Sequence, residues 1–250
     1  MIEFSNEILV ILFFVGLIAG TIDTIAGGGG LLTIPALMWA GLPPAVALAT
    51  NKLQSVFGTF TASVYFIRKK MVDIKEMKLM IAAAFIGSTL GGFALLQIDA
   101  QLLQKAIPFL LMAIGIYFLL SKDVGNIEKH KIISTTIFAI IFVTIIGFYD
   151  GFFGPGTGSF FTIAFIYLLG YNISNATAQT KILNFTTNFA SVLFFAFMGK
   201  IYILVGLVMG AGQIIGAIIG AKLVMLKGQK LIRPLIVVIS FAMSAKLLLG

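Results

Sequence analysis

Apolar residues in this chain form long uncharged runs and do not alternate. The stretches 79–98, 132–149, 151–180, 182–199 and 201–221 carry no charged side chain. Each is as long as, or longer than, the roughly 17–25 apolar residues that let a helix cross the hydrocarbon core of a bilayer. The short alternating strands of a transmembrane barrel are missing from the pattern. Breaks in the runs predict the elements. A helix over 7–25 stops at the four glycines 27–30, because a glycine inside a helix costs about 1 kcal/mol relative to alanine. A short helix over 31–40 spans roughly 15 Å, half a bilayer, and ends at Gly41-Leu42-Pro43-Pro44. Longer helices follow over 45–67, up to Arg68-Lys69-Lys70, and over 77–96. A polar turn at 97–101 leads to another that reaches Leu120. After a hydrophilic linker at 122–131 the plan recurs. Helices are predicted over 132–152, 159–169, from the turn at Gly170-Tyr171-Asn172 to Met198, over 201–225 and over 231–249.

The recurrence extends to individual residues. Gly20, Asp23, Gly27 and Gly29 match Gly147, Asp150, Gly154 and Gly156. After a two-residue shift, Thr33, Gly41, Ala49 and Lys52 match Thr162, Gly170, Ala178 and Lys181. Gly87 and Gly91 match Gly216 and Gly220 at the same offset. The expected fold is therefore an all-α polytopic membrane protein built from two homologous repeats, 1–121 and 132–250, joined by a cytoplasmic linker at 122–131. Each repeat has a glycine-broken first helix and a short re-entrant helix.

Composition sharpens this reading. Charged residues make up 10% of the chain and apolar residues 60%, against roughly 25% charged in a soluble domain. The net charge of +8 does not indicate a nucleic-acid partner, because the basic residues sit in short loops beside apolar runs, where they mark the cytoplasmic side. They gather at 68–78, 122–131 and 222–233. All three segments face the cytoplasm if each half contributes five segments, counting its short helix, so that the second half is inverted. Both termini then lie outside. The rival layout of eight full spans in two parallel sets places 222–233 on the outer side. Inverted repeats with broken helices are common among secondary transporters. The first helix has no basic region before it and reads as a retained span rather than a signal peptide. With no cysteine, thiolate metal sites and cysteine nucleophiles are excluded. His130, the single histidine, lies in the linker, so no serine–histidine–acid set or zinc site can be assembled around it, and no cofactor is expected.

Lys52 and Lys181 carry the sharpest chemical signal. An ionisable group at the centre of a membrane helix costs about 2.5–3.5 kcal/mol on insertion scales, and it faces a cavity or a partner. The bland alternative is snorkelling to the headgroups or a purely structural ion pair. Asp23 and Asp150, just before the glycine breaks, are candidates to pair with the lysines, to titrate as proton carriers or to cap the following helices, although the spacing is long for a cap. A short helix that begins inside a membrane presents unpaired N–H groups and the positive end of its dipole. Gly28, Gly29 and Gly30 in the first half, with Gly156, Thr157, Gly158 and Ser159 in the second, would offer that backbone to a small anion. The alternative is close helix packing at a hinge. Gln179, Asn184, Thr187 and Asn188 add polar groups, the i, i+4 spacing from Thr180 to Asn188 puts polar groups on one helix face, and Gln54, Ser55 and Thr59 are the first-half counterparts. Helix–helix hydrogen bonding explains these as well as substrate contact does.

The twin motif, DTIAGGGGLLTIPAL with ATNKL and GFYDGFFGPGTGSF with AQTKILN, resembles the sulfite exporter TauE/SafE family of membrane transport proteins over essentially the whole chain. Asp23, the glycines 27–30, Asn51, Lys52, Asp150, Gly154, Gly156, Gly158, Lys181 and Asn184 carry the match. The resemblance implies a multi-pass inner-membrane carrier of small sulfur-containing or related organic anions, such as sulfite, thiosulfate or sulfoacetate. The family is drawn with eight spans, against the ten segments counted above. The expected partners are a small anionic substrate and the bilayer, with further copies of the chain left open. A passive anion or solute channel and a non-transporting assembly subunit are the alternatives; a membrane enzyme lacks a catalytic set.

Overall fold

The computed structural model describes residues 4–120 and 130–227. Among these residues the chain is all helical, with no strand. In chain order the helices are α1 (Asn6–Ala26), α2 (Gly30–Trp39), α3 (Pro44–Arg68), α4 (Lys78–Leu96) and α5 (Ala100–Leu120). They are followed by α6 (Thr135–Phe152), α7 (Thr157–Leu169), α8 (Ile173–Phe197) and α9 (Ile203–Lys227). The predicted helix over 231–249 lies outside the described residues, as does the linker apart from His130 and Lys131. α6 begins later than its apolar run, because the Ser134 hydroxyl accepts the Ile137 N–H at 3.2 Å and caps it. Its turn at Phe138–Val143 is π-helical, a feature hydropathy does not encode.

Among the described residues four helices, α1, α4, α6 and α9, are long and apolar enough to cross a membrane. Their exposed faces are hydrocarbon, with Val10 and Phe14 on α1, Ile86 and Phe93 on α4, Ile140 and Ile145 on α6, and Leu204 and Ile219 on α9. The polar residues are inside. On α3 the buried set includes Thr50, Asn51, Lys52, Gln54, Thr59 and Ser63, and on α8 it includes Thr180, Lys181, Asn184, Thr187, Asn188 and Ser191. A helix that must bury so many hydrogen-bonding groups belongs at the centre of a bundle in lipid, where its neighbours satisfy them. The start of α3 and the end of α8 share one apolar cluster, through Leu48 and Phe195. The end of α3 and the start of α8 share another, through Phe66 and Ala178. The two central helices therefore run antiparallel, with their polar stretches between the clusters.

The outer helices pack crosswise between the halves: α1 lies along α9, and α4 along α6. Glycine makes both contacts. A methyl group on Gly87, Gly91 or Gly151 would overlap the carbonyl oxygen of Thr144, Phe148 or Ser88, and one on Gly212 or Gly216 would overlap that of Phe13 or Leu17. Backbones this close gain van der Waals contact and Cα–H···O attraction, which drive association where lipid removes the hydrophobic term. Polar side chains add to it. Ser88 on α4 donates to the Thr187 carbonyl at 2.7 Å and lies 2.8 Å from the Ser191 hydroxyl on α8. Gln213 on α9 donates to Gln54 on α3 at 2.5 Å, and Gln54 donates to Asn51 at 2.8 Å. Gly20 and Gly58 leave the space that Gln213 fills.

Two outcomes follow. Gly91→Ala and Gly216→Ala each lower the unfolding midpoint of the detergent-solubilised protein, since overpacking costs about 1–3 kcal/mol and exceeds the helix-propensity gain of about 1 kcal/mol; a raised midpoint would contradict the packing. Gln213→Leu lowers the midpoint by an amount equivalent to about 1–3 kcal/mol, because Gln54 loses its buried donor. An unchanged midpoint would mean that the bond contributes nothing.

Candidate functional site

Lys52 lies on α3 and Lys181 on α8, at matched positions of helices that run in opposite directions. Asp23 and Asp150 lie in the last turns of α1 and α6. The ion pairs they form cross between the halves. Lys52 Nζ meets Asp150 Oδ1 at 2.8 Å, and Lys181 Nζ meets Asp23 Oδ2 at 3.2 Å. Lys52 is 2% exposed, Lys181 1% and Asp150 3%, so neither lysine snorkels to an interface. A bare ammonium there would face a desolvation penalty of several kcal/mol, and its partner carboxylate offsets that penalty. Lys181 also donates to the Asp23 carbonyl, at the negative end of the α1 dipole.

The glycine breaks bring these groups together. Gly27 ends α1 in a left-handed conformation, φ 72°, with its N–H on the Asp23 carbonyl at 2.7 Å. Such a φ suits a residue without a Cβ, and a Cβ on Gly27 would also overlap the backbone of Gly158. The two breaks thus touch back to back, and Ser159 Oγ closes the contact by donating to the Ala26 carbonyl. Gly154, φ 99°, lets Lys52 approach, since a Cβ there would lie 2.8 Å from Nζ. Despite its spacing, Asp23 reaches the start of α2, where Oδ1 accepts the Gly29 N–H at 3.3 Å. Asp150 makes no matching bond. Its Oδ2, with Asn184 Oδ1 and Ser63 Oγ, is a buried side-chain atom without a hydrogen-bond partner among the described residues.

A cavity opens where the pairs meet. Asp23, Gly30, Asn51, Lys52, Asp150, Thr157, Gly158, Asn184 and Asn188 line it, joined by Gly27, Ser55 and Gly154. Lys181, Gln179, Gly28, Gly29, Gly156 and Ser159 do not line it. Lys181 stands behind Asp23, and Gln179 is half-buried on α8. Ser55 occupies the position matching Asn184, so the repeat offset was the signal that pointed to it. No sequence signal pointed to Gln213, which reaches the cavity wall through Gln54 and Asn51. Thr33 also donates to Asn51 Oδ1, and Thr162–Thr180 at 3.1 Å is the matched contact in the other half. The space open to the centre of a water molecule is about 20 Å³, against roughly 10–15 Å³ for one water. An oxyanion therefore requires the walls to move apart. The charges present, two ammoniums and two carboxylates, cancel, while the starts of α2 and α7 add the positive ends of two helix dipoles.

The family model "Sulfite exporter TauE/SafE" matches residues 12–247. A "Probable membrane transporter protein" of Haemophilus influenzae is 48% identical over 245 residues, which is 98% of this chain and 96% of that one. "Probable membrane transporter protein YfcA" of Escherichia coli K12 is 50% identical over 244 residues, covering 98% and 91%. "Probable membrane transporter protein YunE" of Bacillus subtilis is 26% identical over 241 residues, covering 86% and 88%. No solved structure matches the chain. With relatives of its own length that share about half of its residues, and with both halves of its twin motif inside the matched region, the chain belongs to the TauE/SafE sulfite exporter family and is a membrane transporter.

Proposed function

We propose that the protein is a secondary transporter of small anions, sulfur-containing ones such as sulfite, thiosulfate or sulfoacetate, that bind between the two repeats. The crossed buried ion pairs at the meeting point of two helix starts carry this reading. Lys52 supplies the cation at the cavity. Gly30, Thr157 and Gly158 bring the starts of α2 and α7, and Asn51, Asn184 and Asn188 supply polar groups that orient the ligand. Lys181 is the corresponding cation of the other repeat, held one layer back by Asp23. Gln179, Gly28, Gly29, Gly156 and Ser159 shape the breaks that set this geometry.

Alternating access comes from one repeat rocking against the other. Three observations support inverted repeats: antiparallel central helices, the crosswise pairing of α1 with α9 and of α4 with α6, and ion pairs that each take one partner from either half. In this layout α2 and α7 are re-entrant, each half has five segments, and both termini lie outside an inner membrane.

Three results test this reading. Liposomes containing the protein accumulate thiosulfate or sulfite against a gradient, which a passive channel does not do. Lys52→Ala lowers the flux by roughly ten- to a hundredfold, the loss of a charge-assisted bond of about 1.5–3 kcal/mol; near-wild-type flux in Lys52→Ala and Lys181→Ala would remove both lysines from the mechanism. The chain has no native cysteine, so topology is open to single-cysteine labelling. An impermeant maleimide labels Gln101→Cys from outside intact cells and labels Lys69→Cys only after the cytoplasmic face is opened. The reverse pattern would invert the layout.

A further inference from the structure

The two ion pairs match in sequence but not in their surroundings. Asp23 has both carboxylate oxygens in use, Oδ1 on the Gly29 N–H and Oδ2 on Lys181. Asp150 uses only Oδ1, on Lys52, while its Oδ2 is buried without a donor. Asn184 Oδ1 is likewise buried without a donor, and both residues line the same cavity. Each of these two cavity-lining residues therefore holds a buried acceptor oxygen that no protein donor meets among the described residues. The charged and titratable groups facing Asp150 are few. Lys52 comes from α3, Asp23 from α1 and Lys181, behind Asp23, from α8. Tyr149 precedes Asp150, and its hydroxyl is committed to the Pro155 carbonyl at 2.6 Å. α4 brings Ser88, whose hydroxyl is bound to α8, and its charged residue, Lys78, is exposed at its far end. α7 brings Thr157, bound to the Gly154 carbonyl at 2.7 Å.

Charge counting gives this asymmetry a consequence. Each lysine is already matched by an aspartate, so an anion entering the cavity adds an uncompensated negative charge to a low-dielectric site, which is costly. A cation that enters with the anion offsets one unit of that charge, and Asp150 Oδ2 is an acceptor with no partner yet to hold it.

From these observations we infer that Asp150 Oδ2 is the protein's proton-binding site, and that a proton there frees Lys52 to hold the anion, so that anion and proton bind together. The proposal rests on the anion-transport reading for its coupling but not for the proton site itself. The proton arrives from the aqueous side through which the anion enters and forms an O–H bond on Oδ2. That O–H occupies the carboxylate oxygen that has no partner in the closed pair. Lys52 keeps its own proton and exchanges a carboxylate partner for the anion; no covalent bond to the anion forms and no electrons move. On the opposite side both ligands leave and the Lys52–Asp150 pair closes again. Asp23, with both oxygens engaged, does not take this role, and its pair with Lys181 holds α8 to the end of α1. The competing explanation is a water molecule that donates to Oδ2, which would bind without proton uptake.

The test uses the purified full-length protein and thiosulfate, whose own charge is constant across the pH range used. Isothermal titration in two buffers of different ionisation enthalpy should show uptake of about one proton per thiosulfate. Affinity should tighten by up to about tenfold for each unit fall in pH, because the bound state holds the extra proton. Asp150→Asn should lose this pH slope, Asp150→Glu should keep it, and Asp23→Asn should keep it. No proton uptake by the wild type, or an unchanged slope in Asp150→Asn, would overturn the proposal in favour of the water. An infrared pH titration without thiosulfate provides a second readout. A protonated-carboxyl band that grows in acid and is missing from Asp150→Asn supports the site, and a wild type without such a band overturns it. If no thiosulfate binds at any pH, the anion reading of Lys52 fails, and the infrared band alone decides the proton site.

Discussion

Everything at the centre of this molecule follows from the cost of holding charge away from water. Two lysines and two aspartates lie in helices surrounded by apolar neighbours. Each is tolerable only because its partner is within hydrogen-bonding distance, and removing one partner from such a pair typically costs about 3–5 kcal/mol. Each lysine sits on a central helix, and each aspartate at the end of the other half's first helix. Satisfying the charges therefore forces the two halves together in one relative position. The four groups that we propose serve the anion thereby also hold the two halves in register.

That register demands close backbone approach, which glycine provides. The contacts of α1 with α9 and of α4 with α6 bring main-chain carbonyls to where a side chain would otherwise stand. At the centre, Gly27 and Gly158 bring the two helix breaks into contact. A membrane protein cannot rely on the hydrophobic effect between its helices, so backbone proximity and a few buried polar bonds, such as Gln54–Gln213 and Ser88–Thr187, take its place. The site is built from irregular backbone, and this is admissible in lipid only because α3 and α8 on one side and the outer helices on the other enclose it.

The twin motif places matched acids and lysines in the two halves, but their surroundings differ. Matched positions hold different residues around the two pairs. Asn184 stands opposite Ser55 and Asn188 opposite Thr59. Gln54 is opposite Leu183 and Gln213 opposite Ala84. Asp23 has both carboxylate oxygens bonded, while Asp150 has one to spare. The hydrogen-bond inventory thus distinguishes the two acids.

Much of this was legible in the chain, because lipid imposes a simple rule on composition. Uncharged runs of spanning length, interrupted at 27–30 and 154–158, determine a helical membrane protein and place its helix ends to within a few residues, since backbone groups in hydrocarbon have no other way to be satisfied. The duplicated acid, glycine break and lysine single out the site for the same reason: unpaired ions in such runs would be too costly to keep. What the sequence could not decide is which lysine meets which aspartate. The repeat leaves the pairing open, and only the folded arrangement, with antiparallel central helices and first helices exchanged between the halves, makes the pairs cross. Nor could it show that Asp23 is fully bonded and Asp150 is not. That difference depends on where Gly29, Lys181 and Asn184 come to rest relative to one another, and three-dimensional packing alone sets those distances.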